Sequence, residues 1–249
     1  MFVYLDNAAT TKPSKIALEA YLSVAEKYYG NPSSLHTVGQ NAAEELAAYR
    51  EKFATLLHCK AREITFLSGG SEADNHAIVS AAHAGAMKGK KHIVSTAIEH
   101  HAVLHTLKKL EKEGFKITLL PVPASGIVRI EDVKDALTDD TCLVSVMYAN
   151  NEIGTIQPIE EIGKLLREKK ILFHCDAVQA VGHLPIDLAT LPVDYLALSA
   201  HKFGGVKGVG ALYTKTGAPL FPFIEGGAQE RGKRAGTENL PAVAAMTVA

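Results

Sequence analysis

Short apolar runs alternate along the chain with longer segments in which apolar residues recur at helical spacing. The stretch 142–148 is almost continuously apolar, which is typical of a central strand buried on both faces. Similar runs predict strands at 2–5, 64–67, 92–95, 116–120, 171–174, 194–199 and 210–214, and helical spacing predicts helices at 13–28, 36–57, 72–88, 100–113, 131–137 and 159–169. Ile16, Ala20, Val24 and Ala25 are predicted to form the apolar face of the first helix. The alternation predicts an α/β fold, with a mainly parallel sheet and helices on both faces.

Composition narrows the class of protein. The chain has 249 residues, of which 47% are hydrophobic and 21% charged, and its net charge is −1. This balance predicts no nucleic-acid partner, and the absence of a long apolar stretch predicts no membrane partner. Three scattered cysteines suggest neither a disulfide framework nor a metal cluster. Because the N-terminus carries no targeting signal, we expect a cytoplasmic protein.

A lysine directly after a predicted strand is the first candidate for chemistry. Lys202 lies in the segment 199–205, after the strand 194–199 and among small residues and glycines. A lysine at such a place can be held close to a cofactor, and its amine is the natural partner of an aldehyde, with which it forms a Schiff base. Taken alone, these residues are also compatible with an exposed loop lysine.

Two earlier segments supply what an aldehyde cofactor needs besides a lysine. Asp176 follows the strand 171–174 and can pair with a protonated pyridine nitrogen, although a helix N-cap is the alternative. Gly69, Gly70 and Ser71 lie between a strand and a helix, where backbone N–H groups bind an anion. No Walker or dinucleotide motif is present. A phosphate cradle, a ring-nitrogen acid and a lysine are the requirements of pyridoxal 5'-phosphate.

Further motifs extend this pattern over the whole chain. They are Tyr4 to Thr11, Gly30 to Ser34, Ser68 to Asn75, Glu99-His100, Asn150 to Gly154, Asp176 to Gln179, Ser199 to Lys202 and Arg231 to Thr237. With these motifs in this order, the chain resembles a cysteine desulfurase of the NifS/IscS type, in the class V aminotransferase-like group. The resemblance implies an N-terminal segment at 1–30 and an aspartate aminotransferase-like large domain at 31–249. It also implies that the C-terminal small domain is absent or truncated.

The resemblance assigns catalytic roles to Lys202, Asp176 and His100. His100 would stack on the pyridine ring and assist proton transfer, and the adjacent His101 is its rival. Asn151 would hydrogen-bond the cofactor or the substrate, although its Asn-rich segment also favours a plain turn.

Four further residues, Gln179, Ser199, His201 and Thr237, complete the cofactor site that the resemblance implies. Gln179 would reach the ring's phenolic oxygen, and Ser199 and His201 would hold the phosphate together with Gly70 and Ser71. In the family, the loop that carries Thr237 reaches the phosphate in the neighbouring subunit, which implies a homodimer.

The activity implied is conversion of L-cysteine to L-alanine, with the sulfur passed to an enzyme persulfide. A sulfur acceptor or an iron-sulfur scaffold protein would then receive it. The family's sulfur-accepting cysteine and its carboxylate-binding arginine are expected downstream of residue 249. Cys175 should be a buried structural thiol, because its side chain points away from that of Asp176 on a strand. Selenocysteine lyase, a class V aminotransferase and a cofactor-binding protein without sulfur transfer are the alternatives.

Overall fold

The computed structural model describes residues 3–249, which form seven strands and eight helices. The strands are β1 Ile64–Leu67, β2 His92–Thr96, β3 Lys116–Leu120, β4 Thr141–Ser145, β5 Leu172–Asp176, β6 Tyr195–Ser199 and β7 Gly210–Thr214. The helices are α1 Lys15–Lys27, α2 Thr37–Leu56, α3 Gly70–Ala86, α4 His101–Lys112, α5 Ile130–Ala136, α6 Ile159–Lys169, the single turn α7 Gln229–Gly232 and α8 Leu240–Val248.

All seven strands form one sheet in the order β1-β7-β6-β5-β4-β2-β3. The five strands from β3 to β6 are parallel, whereas β7 is antiparallel to both of its neighbours, β6 and β1. Two successive antiparallel pairings return β1 to the direction of β6. The carboxyl ends of β1, β2, β4, β5 and β6 therefore meet at one edge of the sheet, where open α/β sheets bind their ligands.

Helices cover both faces, because neighbouring residues on each strand point to opposite sides. Leu196 and Leu198 of β6 belong to a core shared with α1, α2, α6 and α8. Tyr195 and Ala197 of the same strand belong to a second core shared with α3 and α4. Asp176 lies on the face of β5 that α3 covers, since Cys175 belongs to the first core.

The predicted α/β architecture and most of its elements are confirmed. The strand predicted at 2–5 is wrong for residues 3–5, which form no ladder, and the rest of that prediction lies outside the described residues. The strand within the apolar stretch 142–148 ends at Ser145. The N–H groups of Val146 and Tyr148 still donate to His174 and Asp176 of β5, and the chain then enters the loop that leads to the functional site. The division after residue 30 remains a prediction.

Two details of the helices also differ from prediction. Ile16 is 57% exposed, because α1 packs on α8 through the face that carries Ala17 and Val24. Helix α8 was missed, since its sequence LPAVAAMTV is apolar on all sides and shows no helical period.

Candidate functional site

A cavity of about 500 Å³ opens at the edge where the parallel strands end. It collects nine of the ten predicted site residues: Gly70, Ser71, His100, Asn151, Asp176, Gln179, Ser199, His201 and Lys202. These residues come from the ends of five different strands, as the topology requires. The tenth, Thr237, lies elsewhere.

Lys202 lies at the centre of a contact between the loop after β6 and the N-terminal segment. Its Nζ donates to the carbonyl oxygens of Ala8 and Ala9, at 2.6 and 3.0 Å. Burial lowers the pKa of Lys202, while the nearby carboxylates of Asp176 and Asp6 oppose that shift. A lowered pKa makes the neutral, nucleophilic amine more accessible at ordinary pH.

The N-terminal segment is attached to the lysine loop by four hydrogen bonds of the same length. The backbone N–H and the hydroxyl of Thr11 both donate to the carbonyl oxygen of His201, at 2.8 Å. The N–H of Gly204, where φ is +88°, donates to the same hydroxyl at 2.8 Å, and its carbonyl accepts from Ser14 at 2.8 Å. Glycine adopts this left-handed conformation without strain, so Lys202 is presented on a well-anchored turn.

The N-terminus of α3 forms an end of the cavity that is suited to a phosphate. Gly70 begins the helix, and a Cβ at this position would lie 2.5 Å from Cγ2 of Val178, so only glycine allows the close approach. Ser71 follows it, and Ser199 and His201 face it across the cavity. The first N–H groups of a helix lack intrahelical partners and attract anions. An adjoining cavity of about 390 Å³ adds Lys207 to this positive end.

The opposite end of the cavity is acidic and dry. Asp176 is 4% exposed, and one of its oxygens accepts from the N–H of Val178 at 3.0 Å. Burial, followed by the neighbouring Asp74, raises the pKa of Asp176 to about 7. Burial also raises the pKa of Asp74, which lines the same cavity. A cation at this end would relieve both groups.

Of the two candidate histidines, His100 lines the cavity and His101 does not. His100 is the N-cap of α4, and its Nδ1 accepts from the N–H of Ala102 at 3.1 Å, which leaves Nε2 for a ligand. The loop is held by Glu99, whose carboxyl accepts from Thr96 and from the N–H of Met147. Burial raises the pKa of Glu99 to about 8.

Thr237 lies outside this cavity, in an exposed loop. That loop is fixed at its base by Glu230, which accepts from Arg50 at 2.8 Å and from the N–H of Phe66 at 3.0 Å. Arg234 pairs with Glu72 at 2.9 Å on the first turn of α3. The loop is therefore presented outward from a rigid base, and its predicted role in a second subunit stays a prediction.

None of the three cysteines lines the cavity. Cys175 is fully buried in the core on the opposite face of the sheet, as predicted from its position beside Asp176. Burial raises the pKa of Cys59 to about 12 and that of Cys142 to about 11, so both remain protonated thiols near neutral pH.

No helix within residues 3–249 combines the length and the apolarity needed to cross a bilayer. The same residues contain no group of three or more His, Cys, Asp or Glu side chains arranged to hold a metal ion.

Sequence reasoning missed Asp6, Ala8, Asp74 and Met147, all of which line the cavity. Asp74 lies three residues after Ser71 on α3, and this spacing places both on one helix face, so a signal was present. Ala8 contributes its backbone carbonyl oxygen, which accepts hydrogen bonds from Gln179 and Lys202. No pattern of side chains could have indicated this role.

The residues present fit pyridoxal phosphate, on the evidence of the two ends of the cavity. The acidic end carries the carboxyl groups of Asp74 and Asp176, and two carboxyl groups that line one cavity suit a cationic ring nitrogen. The other end offers a helix N-terminus to a phosphate, and Lys202 lies within the same cavity. Together these features are those of an α/β protein with a cavity suited to an aldehyde cofactor beside a lysine.

Comparison with known proteins narrows that class. Residues 3–249 match the aminotransferase class-V family. Cysteine desulfurase IscS of Clostridium botulinum is 53% identical over 244 residues, which are 98% of this chain and 61% of that protein. Cysteine desulfurase IscS of Methanosarcina thermophila is 50% identical over 98% of this chain and 60% of its own length.

Two solved structures have the same fold. A NifS-like protein superposes with a TM-score of 0.97 at 43% identity, over 100% of this chain and 68% of that one. SspA, solved in complex with cysteine, superposes with a TM-score of 0.94 at 38% identity, over 99% of this chain and 72% of that one. The chain therefore belongs to the aminotransferase class-V family, whose cofactor is pyridoxal 5'-phosphate. It spans 61% of the length of the first of these relatives.

Proposed function

We propose that this chain is the cofactor-binding part of a cysteine desulfurase that takes L-cysteine as its substrate and releases L-alanine. The observation that carries the proposal is the meeting of Lys202, Asp176, His100 and Ser71 in one cavity at the ends of separate strands. The IscS relatives support the choice of substrate class. Desulfurases of this type supply sulfur to iron-sulfur scaffold proteins or other acceptors, and such a partner belongs to the proposal.

When bound, pyridoxal phosphate supplies an electron sink that makes the α-proton of an amino acid acidic. Gly70 and Ser71 at the start of α3 would hold the phosphate, and the carboxylate of Asp176 would keep the ring nitrogen protonated. Ser199 and His201 would hold the phosphate from the lysine loop. Gln179 and Asn151 would hydrogen-bond the ring or the substrate.

Lys202 and His100 move protons in this proposal. Burial lowers the pKa of Lys202 and so raises the share of neutral amine, and its Nζ can accept the α-proton when it does not bind the cofactor. His100 presents Nε2, because its Nδ1 is engaged by Ala102. Both groups come from separate loops, which allows them to act on the substrate from different directions.

The outward loop that carries Thr237 supports a homodimer in which it reaches the partner's phosphate site. Its base is fixed by the Arg50–Glu230 pair, whereas Thr237 itself is exposed and lies away from this chain's own cavity. A cytoplasmic location is part of the same proposal, since free thiols suit a reducing compartment.

A cofactor-binding protein without sulfur transfer is the second candidate, and one observation favours it for the 249-residue chain. Carbon–sulfur cleavage needs a thiolate directed at the substrate sulfur, and no described cysteine lines the cavity. The two candidates differ in sulfur transfer and agree on the cofactor site.

Covalent labelling tests the cofactor site common to both. The chain is incubated with pyridoxal phosphate, reduced with borohydride and digested, and the modified lysine is identified by mass spectrometry. We expect the label on Lys202, with none in Lys202→Ala. Lys207→Ala is the matched control, because Lys207 lines the adjoining cavity, and it should keep the label. A label on Lys207 or Lys215 in the wild-type chain would overturn the assignment.

A further inference from the structure

Asp74 and His174 form a buried pair beneath the acidic end of the cavity. Nε2 of His174 lies 3.3 Å from Oδ1 of Asp74, and the side chains are 0% and 1% exposed. Neither atom has an aligned hydrogen-bond partner. The other ring nitrogen of His174 bonds to the hydroxyl of Ser145 at 2.8 Å, which fixes the orientation of the ring.

The position of this pair relative to Asp176 follows from the strand. His174 and Asp176 are two residues apart on β5, so their side chains point to the same face of the sheet. Helix α3 covers that face and contributes Asp74, which lines the cavity together with Asp176. Two carboxyl groups and an imidazole thus share one dry compartment, with Glu99, His100 and Lys202 as the other titratable neighbours.

The charges of this compartment are unbalanced without a ligand. Two carboxylates close together in a dry site cannot both ionise cheaply, and an opposite charge within about 4–6 Å restores their ionisation. Burial lowers the pKa of His174 to about 4, so the imidazole does not supply the missing positive charge. Lys202 directs its amine to Ala8 and Ala9. No described cationic side chain donates a hydrogen bond to Asp74 or Asp176, so a ligand with a cationic ring would add the positive charge that favours their ionisation.

We propose that Asp74, oriented by His174, is a positioning residue that acts with Asp176 to make this end of the cavity select a cationic aromatic ring over a neutral one. The inference rests on the proposed binding of pyridoxal phosphate. It goes further by assigning recognition of the ring's charge to two carboxyl groups on two different elements, one on β5 and one on α3.

A pair of probes that differ only at the ring nitrogen tests the inference. Pyridoxal phosphate can carry a positive charge at this atom, whereas 1-deazapyridoxal phosphate has a C–H there and keeps the aldehyde and the phosphate. Dissociation constants of both are measured by absorbance for the wild-type chain and for Asp74→Asn. A charged neighbour shifts a pKa by about 1 to 3 units, so Asp74→Asn should reduce the preference for pyridoxal phosphate at least about tenfold.

Three further variants make the result specific. Asp176→Asn should also reduce the preference. Asp194→Asn removes a partly buried carboxyl at the amino end of β6 that does not line the cavity, and it should leave the ratio of the two constants unchanged. Asp74→Ser, which also removes the charge, replaces Asp74→Asn if the latter does not fold, as judged by circular dichroism.

The possible results distinguish the role of Asp74 from the proposed binding of pyridoxal phosphate. Failure of the wild-type chain to bind pyridoxal phosphate would refute the proposed function. Normal binding with an unchanged ratio in Asp74→Asn, or equal losses for both probes, would refute the role of Asp74 alone. A change of ratio in Asp194→Asn as large as that in Asp74→Asn would also overturn it, since the loss of a carboxyl outside the cavity would then have the same effect.

Discussion

Replacing Asp176 with Asn should make the cofactor-free chain more stable at neutral and alkaline pH. The pKa of Asp176 is raised to about 7, chiefly by burial and then by Asp74. In the unfolded chain an aspartate titrates near about 4. The folded chain holds the proton of Asp176 more tightly than the unfolded chain does. Below about pH 4 Asp176 is protonated in both states, so its ionisation does not lower the free energy of unfolding. The loss in the free energy of unfolding grows as pH rises and is complete above about pH 7.

The size of this cost can be bounded from the same values. The interval between 3.8 and about 7, at roughly 1.4 kcal/mol per pH unit, gives an upper limit of about 4 kcal/mol. Asp176 titrates jointly with Asp74 and Glu99, so part of the strain is relieved by their protonation, and we expect a gain of about 2–4 kcal/mol. The amide oxygen of Asn can still accept from Val178, so no hydrogen bond is lost.

Urea unfolding of the cofactor-free chain between about pH 5 and pH 8 measures the effect. The free energy of unfolding of Asp176→Asn should exceed that of the wild type by a margin that widens as pH rises. Asp139→Asn, at an exposed site, serves as the control and should follow the wild type. Saturating pyridoxal phosphate should reduce or reverse the margin, because the weaker binder gains less from its ligand. A margin that does not change with pH would refute the reasoning.

Three further outcomes follow from the site and its supports. Asp176→Asn should slow exchange of the α-proton of bound L-alanine by orders of magnitude, as followed by NMR, and unchanged exchange would make Asp176 a mere cap. Glu230→Ala should lower the free energy of unfolding by about 3–5 kcal/mol, because it leaves Arg50 without its carboxylate partner. Arg129→Ala, which breaks a surface ion pair, is the control. Equal unfolding midpoints for the two variants would contradict this prediction. The 249-residue chain should not release alanine steadily from L-cysteine in an anaerobic assay, and release that Cys175→Ser abolishes would show that Cys175 reaches the cavity.

The sequence contained enough information to locate most of the site. The strands that end before Ser71, Asp176 and Lys202 are short apolar runs, and burial on both faces leaves such runs few alternatives to a central strand. Once the sheet is mainly parallel, their ends must meet at one edge. The positions of these side chains therefore follow from hydrophobic pattern and topology, without knowledge of any side-chain contact.

Side chains whose burial depends on packing between distant elements could not be recognised as buried in this way. Asp74 lies in the charged stretch Glu72-Ala73-Asp74-Asn75, which resembles a solvated helix start. Only the packing of α3 against β5 places it in a dry compartment. Helix α8 lacks a polar face because α1 and α2 cover it, so the period that reveals a helix is absent from its sequence.

The acidic end of the cavity explains why binding and folding should be coupled in this chain. Asp176 and Asp74 are held without a cation in a compartment where burial raises both pKa values, so the cofactor-free fold carries their cost. Other interactions offset this loss of stability, among them the Arg50–Glu230 pair and the well-packed cores on both faces of the sheet. A ligand with a cationic ring removes the cost and adds its own contacts. The same two carboxyl groups that destabilise the cofactor-free chain should therefore stabilise the bound one, and substitutions there should have opposite signs in the two states.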